Sequence, residues 1–409
     1  MKPTLTFILP LYNGEATVTR ALDSILQQSV LPEEVIIIND GSTDSSLLHV
    51  RRWMLSGRNL KKASSADAGF TEADYQTEST VSDSASPEGA YNLNLTLTAN
   101  IFGCIFKLYH QENRGVAAAR NLGVGLAATD YVAFIDQDDY LLPGFCKAFL
   151  RAAAGTHTKF GRKRIDLDEV LKYGSGGMRT VRLSKDGAAD ASAEFPDMVI
   201  GGFRRINDEG KTTRELKPSN TPWSKFMLTY PWGRIIKRSF LLDNDIKFLK
   251  TGIGEDVYFD MVAYSYTDSI VMLKNSLYVW SDNPESVSNI KYTKLNKATD
   301  PLYTFDCILR DMSEITFIPE DFEEFYFLKF TVWYLLVNAR KSDYRLLIKM
   351  RDRMFAWMES NYPEYRRNPN ISLRRPKGEL LKNRVAVWGF MLLRKLRLDG
   401  LVLRILSLF

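Results

Sequence analysis

Short runs of consecutive apolar residues punctuate the first part of the chain, and each ends abruptly in polar ones. Leu5 to Leu9 closes at Pro10, and Val35-Ile36-Ile37-Ile38 closes at Asn39-Asp40-Gly41-Ser42-Thr43-Asp44. Tyr131 to Ile135 closes at Asp136-Gln137-Asp138-Asp139. Near-continuous apolar runs of this length, rich in β-branched and aromatic side chains, read as parallel strands covered on both faces. Between the first two, Val18, Leu22, Ile25 and Leu26 fall at i, i+4, i+7 and i+8, the buried stripe of a helix. Strand, helix and strand in such close succession make a βαβ unit with a right-handed crossover. Phe106 to Tyr109 resumes the sheet. The loops at Tyr12–Glu15, Asn39–Asp44 and Asp136–Asp139 then share the carboxyl edge, where open α/β sheets bind ligands.

Residues 63–98 break the pattern. They are rich in Ser, Thr and Ala, carry six acidic residues and hold no Lys or Arg, which predicts a flexible insertion that buries no face. Glu112-Asn113-Arg114-Gly115 leads into a small-residue helix bearing Arg120 and Asn121. Gly123-Val124-Gly125-Leu126-Ala127-Ala128 matches a dinucleotide fingerprint. It follows a helix and precedes a strand, the reverse of what pyrophosphate binding at a helix N-terminus needs, so that reading is rejected. Residues 155–195 predict no element. Met198 to Phe203 reads as a further strand. Gly254-Glu255-Asp256 opens a helix with Val257, Met261 and Tyr264 on one face. A carboxylate there is favoured by the helix dipole and free N–H groups, and as a plain cap it needs no function. Two long amphipathic helices follow at 320–340 and 343–359.

Composition adds little until the charge is located. With 409 residues, 45% hydrophobic and 25% charged, the chain is an ordinary globular protein long enough for two units. Residues 361–409 hold eleven Lys/Arg against three Asp/Glu, so the net charge of +5 belongs to the C-terminus. The tail from Leu380 to Phe409 is apolar but broken by cations, so it does not cross a bilayer. Cations beside Trp388 and Phe390 suit an interfacial helix on anionic lipid; packing on its own domain or on a partner is the alternative. A basic excess confined to one apolar tail argues against nucleic acid. Three scattered cysteines and three scattered histidines support no disulfide framework, zinc site or Cys/His nucleophile, and fit a reducing compartment. No charged leader precedes an apolar core, so no secretory signal is expected.

The densest chemistry is the acidic tetrad. On an extended backbone Asp136 and Asp138 point the same way and can share one ligand. Clustered carboxylates repel unless a cation compensates them, and hard divalent cations prefer oxygen. An ordinary surface turn is the alternative.

At this point the residues resemble the family 2 inverting glycosyltransferases, which bind nucleotide sugars on the GT-A fold. The resemblance rests on ordered motifs: Pro10-Leu11-Tyr12-Asn13, Asn39 to Asp44, Glu112 to Gly115 with Ala119-Arg120-Asn121, Phe134 to Asp139, Gly254-Glu255-Asp256, and Asn283 to Ser288. Capsule and exopolysaccharide transferases look most similar. The absence of a Q-x-x-R-W motif and of multiple spans disfavours a processive synthase.

The resemblance implies an α/β GT-A-type, Rossmann-like domain with a mostly parallel central sheet over residues 1–295, containing the insertion at 63–98. A C-terminal helical region, 296–409, ends in a basic amphipathic tail at 379–409. It implies that Asp40 bonds the uracil ring and that Pro10, Tyr12, Asn13, Glu15 and Asn113 line the nucleotide. Asp136 contacts the ribose, Asp138 holds Mg²⁺ or Mn²⁺ against the diphosphate, and Arg120 steadies the phosphates unless it is a core ion pair. Asp256 is the general base, with Glu255 raising its proton affinity. The implied reaction moves a sugar from a nucleotide-diphosphate sugar, a UDP-sugar by preference, to a glycan or lipid-linked acceptor. The implied setting is cytoplasmic, at the inner face of the cell membrane. A non-catalytic nucleotide-sugar binder and a phosphatase of the haloacid dehalogenase type stay open, although Tyr140 and the late position of the tetrad fit the latter poorly.

Overall fold

The computed structural model describes residues 2–56, 94–155, 195–283, 295, 300–340 and 342–408, with short strands at 77–79, 170–174 and 177–179. Its frame is a parallel block of four strands: β1 (Leu5–Leu11), β2 (Glu34–Asp40), β5 (Cys104–Gln111) and β6 (Tyr131–Phe134), in the order β5-β2-β1-β6. Every residue of β1, β2 and β6 is buried, which is why they are so apolar; Thr6, the polar residue within the β1 run, donates its hydroxyl to Glu34 Oε2 at 2.8 Å. Helix α1 (Val18–Leu26) buries the predicted stripe of Val18, Leu22, Ile25 and Leu26. Helix α3 (Val116–Leu126) lies so close to β1 that a Cβ at Gly123 would stand 2.3 Å from the Ile8 side chain. That glycine serves packing, consistent with rejecting the fingerprint.

Beyond β6 the sheet turns mixed. Strand β12 (Arg234–Lys237) runs antiparallel to β6 and to β10 (Met198–Ile206), and β10 runs parallel to β13 (Ile270–Ser281). The mostly parallel character expected of the central sheet is carried by the four-strand block, with β10 and β13 a further parallel pair. After the acidic tetrad, the two-residue strand β7 (Tyr140–Leu141) pairs with β13 at Tyr278 and Val279.

The expectation that residues 63–98 bury no face is corrected at their C-terminal end. Strand β4 (Asn94–Ile101) forms a hairpin with β5, and Leu97, Ala99 and Ile101 are buried in alternation with polar residues. Its turn, Phe102-Gly103, has positive φ at both positions (56° and 86°), the twist that favours a two-residue hairpin. Apart from the short strand β3 (Thr77–Ser79), the rest of that insertion lies outside the described residues.

From Leu302 on, the regular elements among the described residues are all helical: α7 (Leu302–Asp311), α8 (Glu320–Asn338), α9 (Tyr344–Asn361), α10 (Leu381–Lys395) and α11 (Asp399–Ser407). Aromatic contacts join them, among them Phe305 with Phe327 and a stacked Phe355–Phe390 pair. Glu379 ties this region to the sheet domain. Its carboxylate accepts from Trp223 Nε1 at 2.9 Å, Lys329 Nζ at 3.0 Å and Asn383 Nδ2 at 2.7 Å. No helix among the described residues is long and apolar enough to cross a membrane.

Candidate active site

Strand β1 lies between β2 and β6, so the chain leaves it in opposite directions and a crevice opens at their carboxyl ends. The predicted loops meet there. Asn13 Oδ1 accepts from Thr43 N–H at 2.8 Å and Glu15 Oε2 from Ser45 N–H at 2.8 Å. Asn13 has a positive φ of 49°, tolerable for Asn and helped by these local bonds. Gly41, at φ 72°, leaves room for Asn113, whose backbone nitrogen would lie 2.8 Å from a Cβ at that position. Pro10 is buried within β1, whereas Tyr12 is 46% exposed at the rim.

Asp40 is nearly inaccessible. Its Oδ1 accepts from Gln111 Nε2 at 2.6 Å and Arg114 N–H at 2.9 Å, and its Oδ2 from Gly115 N–H at 2.8 Å. The carboxylate therefore orders the loop that carries Asn113, and contact with a base has only what remains of Oδ2.

The tetrad is a turn, which corrects the extended backbone expected for it. Strand β6 ends at Phe134, and Asp139 N–H donates to Asp136 C=O at 3.1 Å. The turn gives its three carboxylates different surroundings. Asp136 accepts from Arg120 at 2.8 Å. Asp138 is half-buried and accepts from Asn283 Nδ2 at 3.1 Å. Asp139 is buried, accepting from Tyr278 Oη at 2.7 Å and Ser281 N–H at 2.9 Å. Burial first and Asp136 second raise the pKa of Asp138, and the same causes push Asp139 well above the carboxylate range. Gln137 stitches the turn to the β1 loop, exchanging hydrogen bonds with Tyr12 N–H at 2.8 Å and Tyr12 C=O at 2.9 Å.

Helix α6 (Glu255–Tyr266) brings the second acidic motif to the same place. Its N-cap is Gly254 in the left-handed region, so the carboxylates sit in the first turn and neither is the cap. Burial, then the neighbouring Glu255, pushes Asp256 up to about 7, against a hydrogen bond from Val257 N–H at 3.0 Å. Arg120 lies between the two motifs. Burial opposes its charge, but Asp136, Glu255 and Asp256 together outweigh that and raise its pKa. Arg120 is buried and bonded to a partly exposed Asp136, the ion pair that was the alternative for it.

A cavity of about 600 Å³, lined in part by Asp256 and Arg214, lies between the first turn of α6, residues 226–230, α8 and α10. Sequence reasoning missed Tyr278 and Arg20. Arg20 donates to Asp138 C=O at 2.5 Å and to Ser281 Oγ at 3.0 Å, and no local pattern marks it. Residues Pro284 to Ser288 of the last predicted motif lie outside the described residues.

No group of three or more His, Cys, Asp or Glu side chains among the described residues forms a ready metal cage. The donor chemistry at Asp138 fits a hard cation that takes one protein carboxylate and completes its shell with phosphate and water.

Residues 6–77 and 67–174 match the model of glycosyl transferase family 2. The chain is 24% identical over 298 residues to an uncharacterized glycosyltransferase, EpsJ, of Bacillus subtilis, covering 71% of this chain and 65% of that one, just under two thirds of its length. It is 22% identical over 354 residues to the putative glycosyltransferase EpsH of B. subtilis, covering 86% and 82%. Among solved structures, S. aureus TarS 1–349 in complex with UDP-GlcNAc superposes with a TM-score of 0.46 at 16% identity, over 95% of this chain and 81% of that one.

Proposed function

We propose that the chain, whose residues 6–77 and 67–174 match glycosyl transferase family 2, moves a sugar from a nucleotide-diphosphate sugar, a UDP-sugar, to a hydroxyl acceptor with inversion. One observation carries the reading. Arg120 bonds Asp136 of the tetrad turn and feels the charges of Glu255 and Asp256, so a donor site and a base adjoin across one guanidinium.

The nucleotide lies over the crevice, with Tyr12 and Asn113 at the base and Asp40 holding the Asn113 loop in place. Asp136 meets the ribose. Asp138 would hold Mg²⁺ or Mn²⁺, which would supply Lewis-acid stabilisation to the departing diphosphate. Arg120 fixes Asp136 and adds positive charge beside the leaving group. Asp256 takes the proton of the acceptor hydroxyl as that oxygen forms its bond to the anomeric carbon. The bond from that carbon to the diphosphate oxygen breaks with its electron pair leaving on the nucleotide. A base near neutral proton affinity suits this task, and such assistance is typically worth ~10²–10⁴-fold.

The tail serves an anionic membrane surface. Leu381, Val385, Trp388 and Leu392 form one exposed stripe along α10, and Leu401, Ile405 and Leu408 continue it on α11. Lys382, Lys395, Arg397 and Arg404 accompany these stripes. This arrangement favours the inner face of the cell membrane as the place of work. Val387, Phe390 and Leu403 meanwhile pack inward, so the tail both docks on its own domain and leaves an apolar face free of it.

The test is calorimetric binding of UDP and GDP, each with Mn²⁺ and with EDTA, on the parent and on Asp138→Ala and Asp256→Asn. Expected is metal-dependent UDP binding, lost in Asp138→Ala and retained within a few-fold in Asp256→Asn, which abolishes transfer. No metal-dependent binding to either nucleotide defeats the proposal.

A further inference from the structure

Helix α1 grips the segment that follows β6 through its main chain. Arg20 Nη2 donates to Asp138 C=O at 2.5 Å, and Ser24 Oγ accepts from Leu141 N–H at 3.0 Å. Gln28, just past the helix, donates to Leu142 C=O at 3.1 Å. Residues four apart stand on one helix face, so the three make a polar row along the tetrad turn and β7. Ser24 and Gln28 are buried, and their bonds are those that any packed segment needs for its main chain. Arg20 is exposed, and it meets the row's segment at the residue whose carboxylate is the candidate metal ligand.

Arg20 reaches further than its neighbours in the row. The same Nη2 donates to Ser281 Oγ at 3.0 Å, at the end of β13. Ser281 N–H in turn donates to Asp139 Oδ1 at 2.9 Å, and Asn283, two residues on, donates to Asp138 Oδ2 at 3.1 Å. One nitrogen thus joins α1, the tetrad turn and the strand end that approaches Asp138 from its other side. The guanidinium also lies 5.3 Å from the centroid of the Tyr140 ring, which steadies an exposed side chain. Its choice of oxygen matters. A cation bonded to the Asp138 carboxylate would compete with a metal ion, whereas one bonded to the carbonyl fixes the residue and leaves the carboxylate as a ligand. Burial and then Asp136 raise the pKa of Asp138, and Asn283 and Arg20 are among the groups that act against them. Metal binding needs the ionised form they favour.

We propose that Arg20 is a positioning residue for the metal site: from α1 it sets where Asp138 stands, so that the carboxylate meets a divalent cation carried on the nucleotide diphosphate. This rests on the transferase reading and deepens it, assigning part of the donor site's geometry to a residue that touches neither the ion nor the nucleotide. Without the guanidinium, Asp138 keeps its bond from Asn283 but its main chain loses its tether to α1. Part of the binding free energy is then used to order the turn.

The test compares calorimetric UDP affinity with Mn²⁺ and with EDTA, and the ratio of the two is the readout. Arg20→Met keeps a stem over Tyr140 and removes the donors. Its ratio should fall roughly fivefold or more, with the EDTA affinity within about twofold of the parent. Arg20→Lys should keep most of the ratio, because both bonds come from one nitrogen and an ammonium carries three N–H groups. Ser24→Ala, in the same row, should lower the urea midpoint and leave the ratio as in the parent. An unchanged ratio in Arg20→Met, an equal loss with EDTA, Arg20→Lys as weak as Arg20→Met, or a like fall in Ser24→Ala each overturn the inference. A parent with no metal-dependent UDP binding defeats the transferase reading and this inference with it, whereas those four outcomes on a metal-dependent parent defeat the role of Arg20 alone.

Discussion

Tyr278 Oη donates to Asp139 Oδ2 at 2.7 Å, and the same oxygen accepts from Asp136 N–H at 3.2 Å. One hydroxyl on β13 thus closes the turn that presents Asp138. The ring cannot drift, because it stacks on Trp232 with centroids 4.4 Å apart and planes 4° from parallel. Tyr278→Phe keeps that stack and removes only the hydroxyl. It leaves a buried Asp139 oxygen without its donor, which costs about 1–3 kcal/mol of stability. Mn²⁺-dependent UDP affinity should fall roughly threefold to tenfold, since about 1 kcal/mol of turn ordering then falls to binding. Urea unfolding and calorimetry on the same variant check both; lost stability with unchanged affinity would confine Tyr278 to the fold.

Burial, and then Glu255, disfavour the charge of Asp256 and push it up to about 7. A base must be deprotonated, so kcat/KM should fall about tenfold per pH unit below that value and level off above it. Glu255→Gln removes the like charge, lowers the proton affinity of Asp256 and moves the acid limb to lower pH. The profile of nucleoside diphosphate release, from about pH 5 to 9, reads the shift. A limb that stays in place would assign it to another group.

The frame of this site was legible because its physics is local. Continuous apolar runs in β1, β2 and β6 and the spaced stripe of α1 each follow from burial of one short segment. Strand β4 was hidden because Thr96, Thr98 and Asn100 on its outer face continue the composition of the Ser/Thr-rich stretch before it. The tetrad shows the sharper limit. Three carboxylates within four positions look equivalent, and what separates Asp139 from Asp138 is a tyrosine 139 residues away. Whether the backbone there is extended or turned is likewise settled by pairing of β7 with β13, which no local pattern encodes.

Helix α6 carries Asp256 at one end and is pinned by Asp260 one turn later. Asp260 and Arg234 are both buried, 2.5 Å apart, and Arg234 also donates to Tyr264 Oη at 3.0 Å. Burial outweighs Arg234 and holds Asp260 well above the carboxylate range, so the pair owes its place to geometry more than to net attraction. Asp260→Ala should cost about 3–5 kcal/mol by leaving Arg234 uncompensated. The double change Asp260→Leu with Arg234→Met should recover most of that loss. Urea midpoints of the two variants test it, and a double variant as weak as the single one would mean that the pair is strongly stabilising in itself.

Trp388, 39% exposed, is the widest side chain of the outer stripe on α10 and sits one turn from Arg384. Replacing it alters no described core contact, so Trp388→Asp should fold as the parent does while losing apolar area and adding repulsion at an anionic surface. Each cation near such a surface contributes about 1 kcal/mol, screened within a Debye length. Binding of the parent to phosphatidylglycerol vesicles should therefore weaken with added salt and be slight on phosphatidylcholine alone. Trp388→Asp should bind the anionic vesicles at least fivefold less, and Leu392→Asp should act in the same direction. Sedimentation with the vesicles measures both, alongside calorimetry of UDP with Mn²⁺ as a check on the fold. Equal sedimentation of parent and variants would leave the stripe as surface without lipid.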